Sequence, residues 1–243
     1  MPEHFERIFL LSHMRACTSL AGHILGSHPA INGYFEMHIS YADATALDRQ
    51  RAMYLQYESF KPGSRYLFDK LLHNDYRLEI DRLGDVGIRL LVALLDPEQA
   101  IRSIVDLFAS KQTAHRYAAP LEAGRYYVER LQWLADFCRN TGHPYYYYDA
   151  ELFRTAPARL LGAMTGWLEL DTPLSERYQL FSQTGKPGRG DSSALIGSGR
   201  IEQVPVDYSH ILLPEQVLEQ ATQAYRDCRA LLIGHAADAL TVP

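Results

Sequence analysis

Apolar residues fall into short dense runs, separated by longer stretches in which they recur every three or four positions. Residues 7–11 form one dense run, residues 66–70 a second that ends in charge, and residues 88–95 the most continuous. Runs of that length read as buried strands, and one that is apolar throughout suits a parallel strand covered on both faces. Residues 145–148 are four consecutive tyrosines after Pro144, and aromatic residues suit a pleated surface better than a helix. The helical period predicts helices over 18–27, 40–60, 75–83, 120–140, 158–168 and 214–237. Another opens at Asp96-Pro97 and runs through Ile101, Ile104, Val105 and Phe108, with proline at its first position. Lys61-Pro62-Gly63-Ser64 and Thr141-Gly142 are stop signals, and residues 182–200 form a loop rich in Gly and Ser. Strands alternating with helices predict a three-layer α/β fold, with a mostly parallel sheet of about four or five strands between helices.

Composition narrows the class. The 243 residues are 47% hydrophobic and 22% charged, which is globular and long enough for one sizeable core, so one domain over 1–243 is expected. A net charge of −5 disfavours a nucleic-acid partner. Cys17, Cys138 and Cys228 are widely spaced and no Cys/His metal spacing appears, so neither a disulfide framework nor a metal is expected. No run of 18 apolar residues is present, so no membrane span is expected. The polar start of the chain does not read as a signal peptide, which makes the cytoplasm the default location.

The stretch that carries chemistry is 9–20. A strand ends at Leu11, Ser12 to Cys17 break the pattern, and Thr18 opens a helix. The first backbone N–H groups of a helix lack intrahelical partners, and its dipole favours an anion there. Thr18 and Ser19 add hydroxyl donors, and Arg15 adds a forked cation suited to phosphate. The loop is not an ATP-type phosphate loop, because no glycine lies between Ser12 and Ala21.

Arg15-Ala16-Cys17-Thr18-Ser19-Leu20, followed by His28-Pro29 and Glu36, resembles the 5′-phosphosulfate loop of sulfotransferases that use 3′-phosphoadenosine 5′-phosphosulfate (PAPS). The tyrosylprotein and bacterial branches are the most similar. Ala16 and Cys17 stand where that family usually has serine and glycine. Pro97 and Ser103 resemble its 3′-phosphate segment, although Leu95 stands where the family has an arginine, a role for which Arg102 or Arg89 would have to substitute. Tyr148-Asp149-Ala150-Glu151-Leu152 is similar to a motif after a late strand. Lys186, Gly188, Arg189 and Gly190, in the loop 184–193, resemble the C-terminal loop that closes over the nucleotide.

The resemblance implies transfer of a sulfuryl group from PAPS, without a metal, to a hydroxyl or amine of a small-molecule, lipid or carbohydrate acceptor, leaving 3′,5′-adenosine bisphosphate (PAP). Arg15 would bind the 5′-phosphosulfate, with Ala16, Cys17, Thr18 and Ser19 in the same loop, and Ser103 would hold the 3′-phosphate. Lys70, at the end of its strand, would approach the transferred group. Glu36, His38 and His73 stay open as the base that takes the acceptor's proton. Two further readings stay open: a non-catalytic nucleotide-binding or scaffold protein, kept alive by Ala16, Cys17 and Leu95, and a nucleotide kinase, which the missing Walker lysine disfavours. The sixteen tyrosines do not identify the acceptor.

Overall fold

The computed structural model describes residues 5–111, 113–186, 194–204 and 206–242. Its strands are β1 (Glu6–Leu11), β2 (Ile31–Asn32), β3 (Tyr66–Leu71), β4 (Ile88–Leu94), β5 (Tyr145–Asp149) and β6 (Asp238–Leu240). They form one sheet in the order β2-β3-β1-β4-β5-β6, and every neighbouring pair is parallel. The helices are α1 (Thr18–Ser27), α2 (Thr45–Leu55), α3 (Pro97–Ala109), α4 (Pro120–Asn140), α5 (Leu152–Thr155), α6 (Pro157–Trp167) and α7 (Glu215–His235).

Strand side chains alternate between two cores. Phe9, Leu11, Leu67 and Leu90 pack with Ile104 of α3, Leu134 of α4 and Leu232 of α7. Ile8, Leu10, Phe68 and Leu91 pack with Ile24 of α1 and Leu161 of α6. Both sheet faces are therefore covered, which is why the strand runs are densely apolar and why the fold has three layers.

The four expected core strands all form. The sheet has six strands rather than four or five, because the edge strands β2 and β6 span two and three residues, too few to show a period. The expected helix 40–60 shortens to α2. The Asp43 carboxylate accepts the Thr45 N–H at 2.9 Å, a local turn that competes with helix upstream. The expected helix 75–83 does not form beyond a 3-10 turn at Ile80–Arg82. Its backbone pairs with Tyr41 instead: Tyr41 N–H donates to the Arg77 carbonyl at 2.8 Å, and Glu79 N–H to the Tyr41 carbonyl at 2.9 Å.

β1 lies between β3 and β4. The chain leaves β1 toward one half of the sheet and later returns to build the other, so the carboxyl end of β1 is the topological switch point, where open α/β sheets form a crevice. The loop 12–17 leaves the sheet there, and Lys70 and Leu95 sit near the carboxyl ends of the two flanking strands.

Candidate active site

The crevice is a cleft of about 740 Å³, within the range of small-molecule sites. Arg15, Cys17, Thr18, Ser19, Glu36, His38, Lys70, His73, Ser103 and Lys186 all line it. The fold thus gathers these residues from five separate stretches of chain.

The loop 12–17 is held from below. His13 is fully buried. Its Nε2 accepts the Leu95 N–H at 3.0 Å and its Nδ1 lies 2.8 Å from the Met14 carbonyl. Burial pushes its pKa down to about 4, so it stays neutral and able to accept that N–H. Arg130 of α4, also fully buried, donates to the Ser12 carbonyl at 2.8 Å and to the Leu71 carbonyl at 2.6 Å. It ties the end of β1 to the end of β3.

The loop itself is strained. Arg15 has φ 69° and Cys17 φ 54°, a left-handed conformation that costs a non-glycine residue about 1–2 kcal/mol. Glycine would take it without that cost, which is the physical meaning of the position Cys17 occupies. Cys17 precedes α1 without a side-chain cap, and the first turn carries no acidic residue. The leading N–H groups of α1 are left to the cleft.

Arg15 reaches across to α3, its Nε donating to Ser103 Oγ at 2.9 Å, and Ser103 Oγ donates to Tyr208 OH at 3.0 Å. Lys70, 1% exposed, donates from Nζ to Ser19 Oγ at 2.9 Å. Arg102, expected beside Ser103, turns to Glu98 at 2.7 Å and does not line the cleft. Neighbouring residues on a helix point about 100° apart, and this one points away. Arg89 pairs with Glu169 at 2.7 Å, also outside the cleft. Leu95 is buried at the cleft wall. Sequence reasoning missed Arg154, which follows β5, lines the cleft and donates to Gln99 Oε1 at 2.6 Å. Its position just past a strand's carboxyl end was the available signal. Tyr208 gave none.

Glu36 sits at the other end, reached by a backbone that presses on α1. A Cβ on Gly22 would lie 2.3 Å from the Tyr34 carbonyl oxygen, and one on Gly26 would lie 2.5 Å from that of Gly33. Only glycine at these two positions lets the segment leading to Glu36 approach so closely. Glu36 is 6% exposed, and its Oε1 has no hydrogen-bond partner among the described residues. His38 Nε2 lies 3.7 Å from that oxygen and His73 Nε2 lies 4.0 Å from it. Burial, helped by Asp69 and opposed by Lys70 and Arg130, pushes the Glu36 pKa up to about 7. Burial, and then Arg130, pushes that of His73 down to about 4. His38 has φ 56°, a further strained residue at the site.

The C-terminal loop is anchored beside α1. His23 Nε2 lies 2.9 Å from Thr184 Oγ1, Tyr34 stacks on Phe181 at 4.2 Å, and Tyr34 OH accepts the Gln183 N–H at 2.9 Å. These contacts bring Lys186 to the cleft. Gly188, Arg189 and Gly190 lie outside the described residues. The described residues contain no group of three or more His, Cys, Asp or Glu placed to hold a metal ion, and no helix among them is long and apolar enough to cross a membrane.

The fold and cleft define a parallel α/β protein with its ligand crevice at the switch point. Solved structures place it more closely, in the sulfotransferase fold. The sulfotransferase domain of the Synechococcus PCC 7002 olefin synthase superposes with a TM-score of 0.59 at 16% identity, covering 93% of this chain and 96% of that one. The sulfotransferase domain from the curacin biosynthetic pathway gives 0.56 at 13%, covering 93% and 98%. Mouse sulfotransferase SULT7A1, solved with PAP, gives 0.56 at 14%, covering 93% and 88%. No protein-family model and no curated protein matches the sequence.

Proposed function

We propose that the chain is a PAPS-dependent sulfotransferase that uses Glu36 as its base. One observation carries this reading. A chain of net charge −5 lines its cleft with six cationic side chains (Arg15, Lys70, Lys111, Arg154, Lys186 and Arg200) against two carboxylates, Glu36 and Glu202. A local excess of cations in an acidic protein selects a compact polyanion, and the two phosphate-bearing ends of PAPS match the two clusters of donors.

The N–H groups at the start of α1, with Thr18 and Ser19, would hold the 5′-phosphosulfate, and Lys70 would neutralise charge on the departing oxygen. Arg15, expected at the 5′-phosphosulfate, is bonded to Ser103, so Arg15, Ser103 and Tyr208 would hold the 3′-phosphate. Arg154 would supply the second guanidinium, in place of the arginine that Leu95 displaces. Lys186, with Gly188, Arg189 and Gly190, would close over the nucleotide. Bound PAPS supplies the sulfuryl group. Glu36 takes the proton from the acceptor hydroxyl as its oxygen bonds to sulfur, and the electron pair of the broken S–O bond stays on the 5′-phosphate oxygen of PAP. Of the three base candidates, Glu36 has a proton affinity near working pH and a buried oxygen free to accept, whereas His73 is too acidic when protonated to be an effective base. The acceptor is a small-molecule, lipid or carbohydrate alcohol, or an amine.

The test is transfer of ³⁵S-sulfate from labelled PAPS to a panel of alcohols, phenols, sugars and amines. Labelled product from at least one acceptor is expected. A protein that binds PAP but transfers to none of them would contradict the catalytic reading.

A further inference from the structure

Asp69 is a fully buried carboxylate on β3 that no step of the proposed reaction uses. It is 1% exposed, and its side chain faces the core opposite to that of Lys70, because strand residues alternate. Its Oδ1 accepts two backbone N–H groups: that of Met37, immediately after Glu36, at 3.0 Å, and that of Lys70 at 2.8 Å. Its Oδ2 accepts the hydroxyl of fully buried Tyr41 at 2.6 Å. Burial raises the Asp69 pKa to about 7, and the three converging donors favour its ionised form against that burial, so Asp69 and Glu36 titrate over the same range as a coupled pair.

We propose that Asp69 is the positioning residue of this site: it ties the backbone behind Glu36 to the backbone of Lys70 and places a second negative charge beneath the base. No other side chain bonded to the Glu36 segment also bonds the Lys70 main chain among the described contacts. A base and a cation that must act on two ends of one transfer need a fixed separation, and a single carboxylate oxygen shared by both backbones fixes it. The charge has a second consequence. The ionisable groups facing Glu36 are Asp69 and Lys70 from β3, Arg130 and Tyr126 from α4, and His38, His73 and Tyr76 from the loops. Of these, Asp69 is the carboxylate, and it raises the proton affinity of Glu36 while Lys70 and Arg130 lower it. Asp69 itself is bounded by Tyr41 and Lys70. The inference rests on Glu36 being the base.

The experiment follows the Glu36 carboxyl carbon by ¹³C NMR against pH in glutamate-labelled protein, the signal being assigned by its loss in Glu36→Gln. In Asp69→Asn the amide oxygen still accepts the two N–H groups but the charge is gone. Glu36 is expected to ionise at lower pH. The acid limb of the sulfate-transfer profile should move with it, and turnover should fall about tenfold as the base weakens, while PAP affinity stays within about twofold. A change that only loosened the fold would not move the Glu36 titration in that direction. Tyr41→Phe is the second variant. It removes one donor to Asp69, making that carboxyl harder to ionise, so Glu36 should again ionise at lower pH. This keeps the test available if Asp69→Asn does not fold. An unmoved Glu36 titration in the folded variants would overturn the proposal. A shifted titration in an enzyme whose Glu36→Gln variant keeps full turnover would support the coupling and remove the base assignment instead.

Discussion

At one end of the cleft Arg15 is bonded to Ser103 and Ser103 to Tyr208, at 2.9 and 3.0 Å. At the other end Glu36 holds a buried oxygen with no partner among the described residues, and two histidines stand 3.7 and 4.0 Å away. The first arrangement suits the binding role proposed for it: its donors are already oriented, so little side-chain freedom would be lost to an arriving anion. The second suits the proposed base. Leaving one carboxylate oxygen buried without a hydrogen bond destabilises the fold, and what that cost yields is a proton affinity near neutrality. Two ends that share one lining can thus be specialised for the ground state and the transition state separately.

If that division is right, substitutions at the two ends should fail in different observables. The largest effect belongs to Glu36→Gln, which keeps the shape and removes the proton acceptor. Sulfate transfer should fall about 10²–10⁴-fold in kcat and kcat/KM together, with PAP affinity unchanged by calorimetry. Next is Arg15→Ala, which should weaken PAP more than about tenfold through loss of a charge-assisted contact to phosphate. Smaller is Arg154→Ala, expected to weaken PAP about tenfold while leaving AMP affinity unchanged, because only the 3′-phosphate is affected.

The pH dependence sharpens the contrast further. Glu36 acts only when ionised, so kcat/KM should rise about tenfold per unit as pH climbs toward about 7 and then level. Stability behaves differently. Glu36 and Asp69, both raised to about 7, hold protons in the folded state that the unfolded chain has released. Their contribution is present at low pH and is lost as pH rises through about 7. His13 and His73, both lowered to about 4, contribute above their ordinary value near 6.5 and lose that contribution as pH falls through about 4. The buried acids and the buried histidines act with opposite sign, so part of each dependence cancels in the wild type. Glu36→Gln removes one proton-holding acid, so on acidification toward about pH 5 its stability should fall relative to wild type by about 1.4 kcal/mol per pH unit. A melting profile in that variant parallel to wild type would show that Glu36 is not a proton-holding buried acid.

The sheet was legible because both faces are covered, so each core strand appears as a dense apolar run with charge only near its ends. The short edge strands were not, since two or three residues carry no period. The stretch 75–83 misled because its apolar spacing serves Leu78, Ile80 and Leu83, which are buried from irregular backbone. That the loop 12–17 and Glu36 meet at one crevice was readable from residue type and order. Arg154 offered only its place just past the carboxyl end of β5, and Tyr208 offered nothing, because it reaches the cleft only through tertiary packing of the segment before α7. Asp69 looked like ordinary charge at a strand end. Its role depends on which face it takes and on the backbone of residue 37, neither of which the sequence near it states.

The central claim is that the cleft is a site for a 3′-phosphorylated adenine nucleotide. Its most direct test is thermal melting with PAP, AMP and ATP at equal concentration, since a ligand that binds the folded state raises apparent stability by mass action. The account predicts a clear rise in melting temperature with PAP and little or none with AMP or ATP. Stabilisation by ATP without PAP, or no response to any of the three, would contradict it.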